Sequence, residues 1–484
     1  MPSSPDAAAN TSRVQPDSRR LALLALLALV VIAAWLRFSS LGAQSLWNDE
    51  AVSWQQARLD WPGLIAATAA DNYPPLQNFL IHLSIRAFGE TEFALRLPSA
   101  LLGVAAVPLL YWTGAPLVGR AGALLAAALL CLSSFHLWYS QEARMYALLC
   151  FASIAFAGSL TRFARQPGWS WGTASVVAGT VLLYSHPYGP LNWAALVLPV
   201  AVVAWRTGGH RRAVCIVLVQ SPAILAFLPW ALILAGRARV VATEGFWIPQ
   251  LSPATLLGYF ELLLNGRGML AMLGLAVVLL LLPDIAPAQR RVLAMTGDGP
   301  PDRPRAGDLA VVAIWGLLPA LLGTIASLLV EPVLFPRYLI GSLPALLLLV
   351  GAGLARLPRG LAGGLGMAGL LGAALVGLIH LGLGERDDFR DVALALEHQL
   401  RPGDCVAMSP QGKTVFAYYS PQGFACSDAE SDPAKLSFGT VRPARVFVVE
   451  AAIDWDPAPD FSRFGRLAGD QQFGVTHLLE FDSP

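Results

Sequence analysis

Residues 74–89 read "PPLQNFLIHLSIRAFG", and the topology of the chain turns on whether they cross a membrane. Their apolar part, Leu76 to Phe88, is only about 20 Å long as a helix, against a hydrocarbon core of about 30 Å. Leu76, Phe79, Leu80 and Leu83 follow the i, i+3, i+4, i+7 rule, while Asn78, His82 and Arg86 recur on another face. The pattern predicts a helix lying in the membrane plane, started by Pro74 and Pro75.

Around it lie runs long enough to span. They centre on residues 21–37, 94–117, 121–139, 145–161, 171–186, 188–205, 214–235, 268–283, 309–330, 338–355 and 361–383, about eleven in all. The stretch 171–205 is divided by "SHPYGP", where Pro187, Gly189 and Pro190 favour a turn. The first run follows Arg19 and Arg20 as a signal peptide would. It closes on Trp35, Leu36 and Arg37 without a small-residue cleavage site, so it reads as a retained span.

With the N-terminus in the cytosol and residues 74–89 left out of the count, every cytosolic turn is basic. Arg120, Arg162 and Arg165, Arg206, Arg211 and Arg212, Arg290 and Arg291, and Arg356 and Arg359 all fall on that side. Counting the short helix as a span scrambles this partition. The opposite face receives "LWNDEAVS" (46–53), "YSQEARMY" (139–146), "SHPYG" (185–189), "FPRY" (335–338) and the last hundred residues. In a bacterial inner membrane that face is the periplasm.

Composition agrees with a polytopic, all-α membrane protein. Of 484 residues, 55% are hydrophobic and 13% charged, against about 25% charged in soluble domains. The net charge of +1 carries no basic stripe, so nucleic acid is not an expected partner. Residues 1–20 read as a disordered cytosolic tail and 21–384 as the transmembrane domain. Residues 385–484 read as a small periplasmic α/β domain. There "FRDVALALEHQL" has helical period, and "DCVAM", "ARVFVVEAA" and "THLLEFD" look like short buried strands. Cys405 and Cys426 in this tail are candidates to pair in an oxidising compartment.

The outer segments hold the residues with chemistry. In "LWNDEAVS", Asn48 suits an N-cap, with Asp49 and Glu50 in the first turn, where acids favour the helix dipole. The same pair at a membrane boundary suits general-base chemistry. Adjacent helical residues point about 100° apart, so only one could face a substrate. Glu142 and Tyr146 are i, i+4 neighbours if their segment is helical, with Arg144 between them. Interfacial anchoring explains that set as structure; a site explains it as function. His186 sits at an outer turn, and Arg337, followed by Tyr338, at an outer span mouth, where a guanidinium suits a lipid phosphate. The Gly-rich run 360–372 is helix packing rather than a nucleotide loop, since no strand precedes it. No metal-ligand spacing stands out.

The segments "LWNDEAVS", "NYPPLQNFLIHLSIRAFGETEFALRLPSALLGVAAVPLLY", "LSSFHLWYSQEARMYAL", "LLYSHPYG" and "FPRYLIGSLPAL", in this order, resemble bacterial members of the dolichyl-phosphate-mannose-protein mannosyltransferase family, glycosyltransferase family 39, with the GT-C fold. Transferases that add aminoarabinose or galacturonic acid to lipopolysaccharide share that architecture. The resemblance implies a glycosyltransferase that takes a sugar from a polyprenyl-phosphate carrier at the outer leaflet. It implies in-plane helices in the first outer loop and an acidic catalytic residue at Asp49 with Glu50 beside it, and the "QEARMY" stretch matches as well; the candidate substrate-binding residues are Tyr73, Glu142, Arg144, Tyr146, His186, Arg337 and Tyr338. A divalent metal is left open, as is the acceptor: glycan, lipid or protein. The eukaryotic luminal insert is absent. Two other classes stay in view. A transporter or flippase of a lipid-linked sugar would need inverted repeats and polar residues at mid-span. A non-catalytic assembly subunit would not need the acidic pair.

Overall fold

The structure is a computed structural model. It describes residues 16–244, 248–282, 304–357, 359–383, 388–408, 410–420, 443–450, 461 and 464–482. The chain is a multi-pass helical membrane protein. Its helices are α1 (Pro16–Phe38), α2 (Asn48–Ala57), α3 (Trp61–Ala70), α4 (Leu76–Phe88), α5 (Glu92–Val118), α6 (Arg120–Leu132) and α7 (Ser134–Ser140). They continue with α8 (Tyr146–Arg165), α9 (Trp169–Leu183), α10 (Gly189–Leu218), α11 (Ser221–Glu244), α12 (Pro253–Leu263) and α13 (Arg267–Leu281). After these come α14 (Ala306–Leu329), a 3-10 turn Pro336–Gly341, α15 (Leu343–Leu354) and α16 (Arg359–Leu383).

Six of the described helices are long and apolar enough to cross a membrane, or eight if the bent pairs α6–α7 and α12–α13 each count as one. Three shorter apolar helices accompany them: α9, α15 and the 360–376 part of α16. Each of the eleven apolar runs thus has a helical counterpart, but not all are straight spans. α15 has 12 residues, all buried, and at about 18 Å it is too short to cross alone. It lies at the centre with α8, most of which is also buried. α1 and α11 are peripheral: Leu21, Leu24, Leu27 and Leu232 are each more than 60% exposed, as lipid-facing side chains are. α10 breaks at Gly209, whose φ of 77° a side chain would oppose.

The short helix comes out over Leu76–Phe88, as expected. Asn78 and His82 on its polar face are buried: His82 Nδ1 bonds the Ala57 carbonyl at 2.7 Å, and Asn78 donates to Gln56 at 2.5 Å. That face therefore packs on α2 rather than facing water. α3 was not visible in the hydrophobic pattern. Asp60 caps it by accepting from the Gly63 N–H at 2.9 Å, with Pro62 in the first turn.

Beyond the bundle, α17 (Phe389–Gln399) and α18 (Pro410–Tyr419) accompany β1 (Cys405–Met408), β2 (Arg445–Glu450), β3 (Arg466–Phe473) and β4 (Thr476–Asp482). The sheet order is β1-β2-β4-β3, with β1 parallel to β2 and the other pairs antiparallel. Cys405 is disulfide-bonded; Cys426 lies outside the described residues.

This segment shares a core with the residues that connect α1 to α5. Phe389, Val392, Val406 and Phe416 pack in one cluster with Leu46, Trp54, Ile81 and Leu95. Polar contacts seal the seam. Arg390 donates to Glu92 at 2.6 Å and to the carbonyls of Gly42, Ala43 and Gln44 at 3.3, 3.3 and 3.1 Å. The Tyr419 hydroxyl accepts from the Leu46 N–H at 2.7 Å and donates to Glu92 at 3.1 Å. Charged hydrogen bonds of this kind are worth about 1.5–3 kcal/mol. Arg390→Ala should lower the thermal midpoint by that amount of stability and speed protease cleavage after residue 384. An unchanged melt and digest would show that the clamp holds nothing.

Candidate active site

α8 begins at Tyr146, and the residues before it, 141–145, form an irregular turn. The helical i, i+4 pairing of Glu142 with Tyr146 therefore does not hold. The turn is stapled from three directions. The Ala143 N–H donates to Glu50 at 2.8 Å, the Ser99 hydroxyl donates to the Arg144 carbonyl at 3.1 Å, and Arg144 Nη1 reaches the Asp49 carbonyl at 3.2 Å and Ser53 at 3.1 Å. Glu142 is buried in this turn at 2% exposure.

The acidic pair divides. Asn48 is the first residue of α2 and not its cap; Trp47 precedes it in an extended conformation with no side-chain cap bond. Glu50, expected beside Asp49 as a catalytic residue, is instead fully buried against Arg96. Arg96 Nε and Nη2 donate to its two carboxylate oxygens at 2.7 and 2.6 Å. Arg96 Nη1 also bonds the carbonyls of Leu41 and Gln44 at 3.1 and 2.9 Å, and Nη2 that of Ser45 at 2.9 Å. Five bonds employ all five guanidinium N–H groups. Glu50 is committed to architecture and presents no face to a substrate. Arg96 escaped the sequence reading, although an arginine inside an apolar span is itself a signal.

Asp49 is 24% exposed and faces two guanidiniums. Its Oδ2 lies 3.6 Å from Arg337 Nη1 and 3.9 Å from Arg144 Nη2. Both distances exceed a hydrogen bond, so the three charges are neighbours without being locked together. Arg337 is presented by the 3-10 turn that Pro336 opens, and its guanidinium lies 5.6 Å from the Tyr146 ring and 5.7 Å from that of Trp47. The Arg144 guanidinium lies 4.8 Å over Tyr73. The Tyr73 and Tyr338 hydroxyls bond each other at 3.1 Å.

His186 completes the group, its ring 4.8 Å from Tyr338, 5.6 Å from Tyr73 and 5.8 Å from Tyr146. Its Nδ1 accepts from the Tyr188 N–H at 3.0 Å, which places the neutral ring's proton on Nε2. Burial, then the charges of Arg144 and Arg337, hold its pKa well below the usual histidine value, so it stays neutral. The turn that carries it is compact. Gly189 sits directly against the Leu182 carbonyl, leaving no room for a β-carbon.

The buried polar atoms here that make no hydrogen bond among the described residues include His186 Nε2, the Tyr146 hydroxyl and Arg144 Nε. Native interiors leave few such atoms, and their convergence from two separate segments marks a place for polar ligand atoms. A cavity of about 590 Å³ adjoins them. Tyr73, His186, Tyr338, Asn72 and Arg237 are among its polar and aromatic lining, and Phe227, Leu234, Val330 and Val333 supply apolar wall. Arg237 and Asn72, bonded at 3.3 Å, were not singled out as site residues in the sequence. Seven of the nine candidate residues thus gather in one place: Asp49, Tyr73, Arg144, Tyr146, His186, Arg337 and Tyr338. Glu50 and Glu142 are buried in the supporting shell. Among the described residues no three His, Cys, Asp or Glu side chains lie together as metal ligands, so no residues are assigned to the divalent metal left open above.

Removing one partner of the Glu50–Arg96 pair strands a buried charge, at a cost of about 3–5 kcal/mol. Arg96→Met should abolish folded yield or lower the melting temperature sharply. Adding Glu50→Leu should recover only part, because three carbonyls still lose their donor. Equal stability of wild type and Arg96→Met would refute this role.

Comparisons with known proteins bear on the fold that carries this site. Residues 72–233 match the family model described as dolichyl-phosphate-mannose-protein mannosyltransferase. No protein of curated function matches in sequence. Among solved structures, the fold is similar to ArnT from Cupriavidus metallidurans bound to undecaprenyl phosphate. The TM-score is 0.58 at 16% identity, covering 94% of this chain and 97% of that one. The apo state of the same protein matches with TM-score 0.58 at 14% identity, over 96% and 98% of the two chains. The match over residues 72–233 and a fold shared along nearly the whole chain bear out the resemblance to the dolichyl-phosphate-mannose-protein mannosyltransferase family and its GT-C fold.

Proposed function

We propose that this protein is a membrane glycosyltransferase that moves a sugar from a polyprenyl-phosphate donor to an acceptor hydroxyl at the periplasmic face, with inversion. The observation that carries the reading is the Asp49 carboxylate, partly open to solvent and loosely flanked by Arg144 and Arg337, beside the unbonded polar atoms of His186 and Tyr146. The similar ArnT structure is bound to undecaprenyl phosphate, which supports a lipid phosphate as ligand. The adjoining cavity is mostly apolar and suits a prenyl chain, and its Tyr73 and Tyr338 are neighbours of Arg144 and Arg337, where the phosphate would lie.

In this mechanism Asp49 takes the proton of the acceptor hydroxyl. The acceptor oxygen forms a bond to the anomeric carbon as the bond from that carbon to the phosphate oxygen breaks. The electron pair leaves with the polyprenyl phosphate, whose added charge faces Arg337 and Arg144. His186, held neutral, donates from Nε2 to a sugar or phosphate oxygen, and Tyr146 offers a second donor.

Incubating purified protein with a panel of polyprenyl-phosphate sugars should release free carrier phosphate, which a flippase would not do. Asp49→Asn should cut release by about 10²–10⁴-fold while the melting curve stays intact. Arg337→Gln should cost about 10²–10³-fold. Wild-type turnover by Asp49→Asn would sink the assignment. His186→Gln should be slower yet keep the wild-type pH–rate shape between about pH 6 and 8, because His186 does not change charge there. A limb that disappears with His186 would show that it titrates.

A further inference from the structure

α8 connects the site to a second cavity. Tyr146 opens the helix beside Asp49's neighbours, and Arg162 lies about 24 Å along it by helical rise. There a cavity of about 430 Å³ is lined by Trp112, Trp171, Arg120, Arg162, Arg165 and Gln166, among others. These arginines belong to the basic turns placed on the cytosolic side by the charge partition.

Arg162 is not a cation simply reaching for water. Its guanidinium lies 3.3 Å from the centroid of Trp112 and 5.6 Å from that of Trp171. Its Nη1 donates to the Gly158 carbonyl at 3.0 Å and its Nη2 to the Trp112 carbonyl at 2.6 Å. Two of five N–H groups are thereby used, and the plane is fixed. Arg165 is matched by Asp308 at 2.7 Å. Among the described residues, neither Arg120 nor Arg162 has a carboxylate within ion-pair distance.

A pre-oriented guanidinium with open donors suits a phosphate, and a second cation beside it raises the selectivity for anions. The cavity also has a lipid-facing side. Trp112 is 42% exposed, and Trp169, at the start of α9, 86%. Tryptophans at span ends mark headgroup depth. We propose that this cavity binds the phosphate headgroup of an anionic membrane phospholipid, held by Arg162 and Arg120 between Trp112 and Trp171. The site is separate from the transfer reaction and stands whether or not that reaction is as proposed above.

Full-length protein, purified and delipidated in mild detergent, can be titrated with phosphatidylglycerol, phosphatidylcholine and glycerol 3-phosphate while bound species are counted by native mass spectrometry. Phosphatidylglycerol should bind in preference to phosphatidylcholine, and glycerol 3-phosphate should not displace it. Arg162→Gln and Arg120→Gln should each weaken phosphatidylglycerol binding about fivefold, with the zwitterionic lipid unaffected. Equal affinity for wild type and both variants overturns the proposal. So does equal binding of the two lipids, which would assign the cavity to acyl chains, or displacement by glycerol 3-phosphate, which would assign it to a soluble phosphate. If Arg162→Gln does not fold, Arg120→Gln and the ligand comparison on wild type decide the matter.

Discussion

The outer end of the molecule depends on one buried ion pair, Glu50 with Arg96. It joins four segments at one point: the start of α2, the span α5, the 41–45 loop and the turn before α8. Two charges buried without such saturation would destabilise the fold. Here every guanidinium N–H has an acceptor, and Glu50 Oε1 takes the Ala143 N–H as well as Arg96 Nε. The pair therefore acts less as a source of stability than as a register pin. It decides which way α2 faces, and with it the direction of the residue just before Glu50 in the helix.

That preceding residue is Asp49. The two acids stand about 100° apart on α2, and this angle separates their roles. Glu50 turns inward and is fully buried; Asp49 turns toward Arg144 and Arg337 and keeps contact with solvent. Arg144 comes from the same turn whose backbone Glu50 holds through Ala143. A single pin thus places the carboxylate and one of its two cations. The C-terminal segment adds a second support from outside, since Arg390 and Tyr419 grip the same 42–46 loop that Arg96 grips from within.

Much of this was legible in the sequence because it rests on local signals. Chain hydropathy located the apolar helices, the proline pair located α4, and arginine placement grouped the outer motifs. Those motifs then supplied seven residues that converge. What stayed hidden was pairwise and long-range. Nothing local says that Glu50 belongs to Arg96, 46 residues away, so the acidic pair read as one unit. Nothing local says that residues 141–145 leave the helix, because the turn is held by bonds from α2 and α5. β3 was missed for a different reason. "RLAGDQQF" is a mostly exposed strand with little apolar alternation, and among the described residues it pairs with β4 alone. α18 was missed because its buried face, including Val415 and Phe416, is apolar only in the context of α17 and the first outer loop.

The looseness of the Asp49 cluster is itself informative. Arg96 shows what this chain does when an arginine is structural: contacts at 2.6–3.1 Å and no donor left over. Arg337 and Arg144 meet Asp49 only at 3.6 and 3.9 Å, and Arg144 keeps an unbonded Nε. Neither cation is tied to the Asp49 carboxylate by a short hydrogen bond. In the proposed transfer the donor phosphate goes from a singly charged diester to a leaving group of higher charge. Guanidiniums fixed nearby gain interaction as that charge grows, and catalysis comes from contacts that strengthen toward the transition state. A tighter Asp49–Arg337 bond would stabilise the resting protein and leave less for the leaving group. In the proposed transfer the spacing around Asp49 would serve the reaction as the saturation of Arg96 serves the fold.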